Sequence, residues 1–147
     1  MYTGTDMMLK IPTLEIDMPI VGVSQSGNSW DVTWLGNNAG YLSGSAFPTK
    51  QGNTVITGHV WSSLNQPGPF ANLKTLNYGD KIQIEAWNQT YVYEVRENTT
   101  VNVNNIDVVM KSEEYDWVTL VTCEGYNSIT GNYQQRRIVR AVLIEIR

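Results

Sequence analysis

Short runs of β-branched and aliphatic residues, each closed by Gly, Pro, Asn or Ser, recur along this chain and constrain it to an all-β fold. Leu9–Ile11 and Leu14–Ile16 flank Pro12, and Pro19–Val23 runs into the polar turn cluster Ser24–Asn28. Lys81–Ala86 alternates, with Ile82, Ile84 and Ala86 on one face. Tyr91, Val92, Tyr93 and Val95 follow across an Asn88-Gln89 turn, which predicts a hairpin. Trp117–Thr122 and Ile138–Ile146 are the strongest strand candidates, because β-branched residues dominate them. Helix is scarce. Asn38–Ala46 is expected as a short helix ended by Pro48. Phe70–Leu76 is expected as a second, with Phe70, Leu73 and Leu76 as its core stripe. The architecture that fits is a closed or nearly closed antiparallel barrel with short helical decorations.

At 147 residues the expectation is one domain spanning residues 1–147. Hydrophobic residues make up 41% and charged residues 16%, which is a globular balance and not a disordered one. The net charge is -4 and no basic stripe occurs, so nucleic acid is not an expected partner. No apolar run approaches the ~18 residues that span a bilayer, so nothing in this stretch spans a membrane; either the chain is soluble as it stands or a targeting segment lies outside it. Met1–Asp6 does not read as a targeting leader.

One cysteine and one histidine carry the chemical interest. Cys123 ends the strand candidate Val118–Thr122, and a polar, glycine-containing loop follows it. Arg136 then opens the next strand candidate. If those strands pair as a hairpin, Cys123 and Arg136 share one rim of the sheet. A fixed guanidinium beside a thiol stabilises a thiolate, or an oxyanion formed when the thiol attacks a carbonyl. Against this stands the plainer reading of Cys123 as a small buried hydrophobe and of Arg136 as a solvated edge charge.

His59 ends the run Thr54-Val55-Ile56-Thr57-Gly58 in a turn. A lone histidine is usually structural, yet a Cys/His pair is the minimum for thiol nucleophile chemistry. One Cys and one His do not complete a structural zinc site, and no metal site is expected. The carboxylates show no calcium-loop spacing, and there is no P-loop, dinucleotide fingerprint or HExxH. Asn88 and Asn98 each begin an N-x-T triplet, to which no role is assigned.

Four segments together resemble the sortase family. Thr119-Leu120-Val121-Thr122-Cys123 reads as its TLxTC signature, and Arg136 lies thirteen residues beyond the cysteine at a strand start. Thr54–His59 is similar to the family's apolar run ending in Gly-His. Phe70–Leu76 followed by Gly79-Asp80 resembles its F-x-x-L-x-x-L…GD stretch. The similarity extends from about Leu9 to Ile146.

The resemblance implies an eight-stranded β-barrel and a cysteine transpeptidase at the cell surface. Cys123 would attack the threonyl carbonyl of an LPxTG-like sorting motif and form a thioester. His59 would protonate the leaving amine and later deprotonate the incoming one. Arg136 would hold the oxyanion or the substrate backbone, and Thr122 would shape the pocket beside the nucleophile. Thr99–Glu114 is expected as the loop before the cysteine strand, and Val101, Val103, Ile106 and Val109 in it would wall the groove for the motif's apolar residues. The partners implied are surface proteins bearing a C-terminal sorting motif and an amine of peptidoglycan or of a pilin. No cofactor is implied.

Two departures narrow this. Trp34–Asn53 contains no Asp or Glu, so the calcium stimulation known in some members is not expected. No Asp-Pro-aromatic lid motif precedes the barrel, which weakens a pilin-polymerising role. A non-catalytic sortase-like binding barrel is the alternative. An L,D-transpeptidase fits poorly, because its histidine and cysteine lie close together in sequence, and a papain-like protease fits no better.

Overall fold

A computed structural model describes residues 2–26, 29–30, 35–46, 52–60, 67–102, 116–127 and 132–147, with backbone alone at 26, 29–30, 102, 123–127 and 132–135. Ten strands appear: β1 (Thr3–Ile11), β2 (Ile16–Val23), β3 (Gln25–Ser26), β4 (Ser29–Trp30), β5 (Ala39–Leu42), β6 (Gly52–Thr57), β7 (Lys81–Ala86), β8 (Gln89–Asn102), β9 (Asp116–Asn127) and β10 (Asn132–Ile146). Eight of them close into a barrel in the order β1-β2-β5-β6-β9-β10-β8-β7, and β3 and β4 form a small separate ribbon. Closure leaves the barrel strands no free edge, which removes the main aggregation hazard of an all-β fold.

Alternation drives the strands as the sequence suggests. Met7, Leu9 and Ile11 of β1, Met18 and Ile20 of β2, Ile82, Ile84 and Ala86 of β7, and Val118 and Leu120 of β9 all enter one buried core. The β7–β8 hairpin forms, but its turn is Trp87-Asn88, one residue earlier than expected, with both residues at positive φ (51° and 61°). Two left-handed residues match the twist of the flanking strands, as a two-residue hairpin requires.

Three expectations are corrected. The barrel is not wholly antiparallel: β2 pairs with β5, and β6 with β9, in parallel. Asn38–Ala46 is not a helix, since Ala39–Leu42 is β5, inserted between β2 and β6. Gly40 marks the reason. A Cβ there would stand 2.9 Å from Val23 Cγ2 and 3.0 Å from Leu35 Cδ1. Tertiary pairing at that close approach overrides the local pattern. Phe70–Leu76 is not a regular helix either; turns lead into a single 3-10 turn at Leu73–Thr75. The stripe survives because residues three apart also share a side of a 3-10 turn. Phe70, Leu73 and Leu76 are accordingly buried in the barrel core.

Candidate active site

Cys123 and Arg136 face each other directly in the β9–β10 ladder. The strands run past both: β9 continues to Asn127, and β10 begins at Asn132. Cys123 is therefore inside a strand and not its last residue, as the sequence had suggested. On the far side of β10, Arg136 pairs with Val101 of β8. Val101, Arg136 and Cys123 thus form one row across three adjacent strands.

The next row on that face is apolar. Val55, Val121 and Ile138 pack as a small cluster separate from the main core, with Leu42 and Val101 against it. Strand alternation places positions 123 and 136 on this same face, since they lie two residues from Val121 and Ile138. Arg136 is half-buried there, and loss of hydration pushes its pKa below the ordinary guanidinium value. A partly desolvated cation interacts more strongly with a nearby anion than a fully hydrated one does.

His59 arrives from the parallel partner strand. β6 ends at Thr57, which is in register with Val121 of β9. Thr57 Oγ1 donates to the Val121 carbonyl at 2.8 Å, and Thr122 Oγ1 donates to the Gly58 carbonyl at 3.2 Å. These bonds keep the chain beside β9 for one residue after the ladder ends, and His59 is the next residue along. His59 and Cys123 are far apart in sequence; the parallel β6–β9 pairing brings their segments together.

Gly58 precedes the histidine for a steric reason. A Cβ at 58 would lie 3.0 Å from Phe70 Cδ2 and Cγ. The Phe70 amide donates to the His59 carbonyl at 2.9 Å, so the same residue packs under Gly58 and holds His59. The His59 Nε2 is buried and has no hydrogen-bond partner among the described residues. An unpaired buried imidazole nitrogen costs roughly 1–3 kcal/mol.

Thr122 is 2% exposed, and its hydroxyl is engaged by Gly58, so it supports the site from beneath. Val101 stands in β8, which runs to Asn102 where a loop was expected from Thr99, and it is half-buried beside Arg136. Val103, Ile106 and Val109 lie outside the described residues. Sequence reasoning missed Gly58 and Phe70 as supports, although both stood in segments singled out there; what identifies them is contact across the barrel. Among the described residues, no group of three His, Cys, Asp or Glu is placed to share a metal ion.

A cavity of about 670 Å³ lies elsewhere, lined by Thr5, Asp6, Glu85, Trp87 and Gln89 among others. It sits at the β7–β8 turn, whereas β8 reaches Arg136 only at its opposite end. The Cys123–Arg136 pair lies toward the other end of the β8–β10–β9 ladder.

Fold and site together define a closed β-barrel with Cys, His and Arg positions aligned along one rim. A family model described as the sortase domain matches residues 9–144, and the chain belongs to the sortase family. Sortase D of Bacillus subtilis (strain 168) is 24% identical over 132 residues, covering 90% of this chain and 60% of the relative. Sortase A of Staphylococcus aureus (strain NCTC 8325 / PS 47) is 28% identical over 95 residues, covering 63% of this chain and 45% of the relative. The chain thus spans about half to three-fifths of the length of these two relatives. Among solved structures, a lid mutant of sortase A from Corynebacterium diphtheriae superposes with a TM-score of 0.77 at 28% identity, covering 95% of this chain and 69% of that one.

Proposed function

We propose that this chain is a single catalytic domain, residues 1–147, of a cysteine transpeptidase that cleaves an LPxTG-like sorting motif. The register of Arg136 opposite Cys123, with His59 delivered by the parallel β6–β9 pair, is the observation that carries this reading. The Cys123 thiolate attacks the threonyl carbonyl, and Arg136 stabilises the oxyanion. The bond from threonine to the next residue breaks, and His59 gives its proton to the departing amine. A second amine then attacks the thioester, loses a proton to His59, and leaves with the acyl group while the thiolate returns. Water in place of the amine gives the hydrolase or thiol-protease side reaction. Thr122 shapes the groove through Gly58, and Val101, Val103 and Ile106 contribute apolar wall.

The proposed donors are surface proteins with a C-terminal sorting motif, and the acceptor is an amine of peptidoglycan or a pilin. The proposed location is extracytoplasmic, at the cell surface, with a membrane anchor in the full-length protein. No helix among the described residues is long and apolar enough to cross a membrane.

The test is a panel of sorting pentapeptides with and without candidate amines, read by mass spectrometry. The expected result is a thioester adduct and amine-dependent product, both lost in Cys123→Ala with the circular dichroism spectrum unchanged. A thiol that forms no adduct with any peptide, in a folded protein, refutes the reading in favour of a binding barrel.

A further inference from the structure

We infer that Asn98, locked by Arg137, is a positioning residue for His59; the inference rests on the proposed role of His59 in transfer. The arginine doublet is divided by the pleat of β10. Arg136 stands on the face of Val121 and Ile138, while Arg137 pairs with Thr122 and belongs to the opposite face. There Arg137 Nη1 donates to Asn98 Oδ1 at 3.1 Å. That contact fixes which end of the Asn98 amide is acceptor, and so turns its Nδ2 toward the 3-10 turn.

Nδ2 then donates to three carbonyls of that turn: Leu76 at 2.8 Å, and Leu73 and Lys74 at 3.2 Å each. Two N–H groups serve three acceptors, so one side chain ties down the turn's whole C-terminal end. Local bonds carry the constraint back along the segment. The Leu76 amide donates to the Leu73 carbonyl, and the Leu73 amide to the Phe70 carbonyl. Phe70 is the residue wedged under Gly58 and bonded to the His59 carbonyl. The path therefore runs from Arg137 through Asn98 and the turn to Phe70, and from there to the histidine backbone.

Among the described residues, no hydrogen bond reaches Nε2. The backbone that carries the ring contributes to its place, and the strut acts on that backbone through Phe70. Neither Asn98 nor Arg137 needs to touch substrate. A fault in this strut misplaces the proton carrier without removing it, and displacements of about an ångström cost up to ~100-fold in rate.

His59 is the sole histidine, so its imidazole resonances are unambiguous in nitrogen-15 spectra. The experiment compares the wild type with Asn98→Ala, Arg137→Leu and the control Thr75→Ala. The control removes a hydroxyl bond to the Asn72 carbonyl in the same turn but leaves the strut intact. The expected result is that Asn98→Ala and Arg137→Leu both move the His59 resonances, while Thr75→Ala does not. With a cleavable sorting peptide, kcat should fall roughly 10- to 100-fold while KM changes less than about 2-fold.

Arg137→Leu leaves the Asn98 donors in place, so it serves as the independent variant if Asn98→Ala does not fold. Wild-type His59 resonances and kcat in a folded strut variant would overturn the inference. So would an equal disturbance in Thr75→Ala. If the wild type itself cleaves no peptide, the proposed function fails, and the spectra still decide whether the strut sets the imidazole.

Discussion

Gly58→Ala adds one methyl group where the chain before His59 packs on the Phe70 ring. The new Cβ would sit 3.0 Å from Phe70 Cδ2 and Cγ and 3.1 Å from Cε2. Carbon pairs prefer roughly 3.5–4.0 Å, so ring or backbone must yield by several tenths of an ångström. The ring has little room to yield, being 1% exposed and packed in the main core. Overpacking of this kind costs about 1–3 kcal/mol. Gly58 is not at positive φ, so alanine meets no backbone strain and gains about 0.4–1 kcal/mol through the unfolded chain. The net expectation is a loss of roughly 0.5–2 kcal/mol, or about 1–8 °C in Tm for a chain of this size. Urea titration followed by tryptophan fluorescence measures it. In a cycle with Phe70→Leu, the shorter side chain should absorb most of the alanine penalty. A Gly58→Ala protein as stable as the wild type, or costs that simply add, would refute the steric account.

Thr122→Val keeps the shape of a buried side chain but leaves the Gly58 carbonyl without that donor; the expected cost is about 1–2 kcal/mol in urea, with reduced peptide turnover. Arg140 lies 4.4 Å from the Trp117 ring centroid, so Arg140→Ala should lower stability by about 0.5–1.5 kcal/mol, and a loss abolished by salt would point to its ion pair with Glu97 instead. Lys10 is held protonated by its hydrogen bond to Glu85, then by the charges of Asp17 and Glu85, which raises its pKa above 10.5. Its folded pKa exceeds the unfolded one, so its contribution is complete below the unfolded value and fades as pH rises through the folded value. The gap between wild type and Lys10→Met in urea should therefore narrow on going from about pH 8 to about pH 12, and a widening gap would show the sign to be wrong.

Some of this was legible in the chain itself. The alternation of Ile82, Ile84 and Ala86 survives any context, because period-two burial is a local property of extended backbone. The Cys123 and Arg136 strands are close in sequence, so a hairpin between them, and hence their shared rim, follows from a short connection. The Phe70, Leu73 and Leu76 stripe announced a buried face, though not its 3-10 geometry. Less was legible where local pattern and tertiary pairing disagree. Residues 39–42 carry no strong strand signal and become β5 because a gap between β2 and β6 must be filled. Asn98 looked like half of an N-x-T triplet, since its partners lie 22 to 25 residues upstream and 39 downstream.

Residue type and spacing alone determined that this protein is built of strands and carries one thiol, one imidazole and a guanidinium in segments that resemble the sortase motifs. The tertiary structure decided that the end of the Thr54–His59 segment lies beside the Val121–Thr122 stretch of β9, because a parallel pair such as β6–β9 joins segments through a long crossover that leaves no mark in local pattern. It also decided which arginine of the doublet faces the thiol position and which braces the fold from within, a choice made by the register of β10 between its two neighbours.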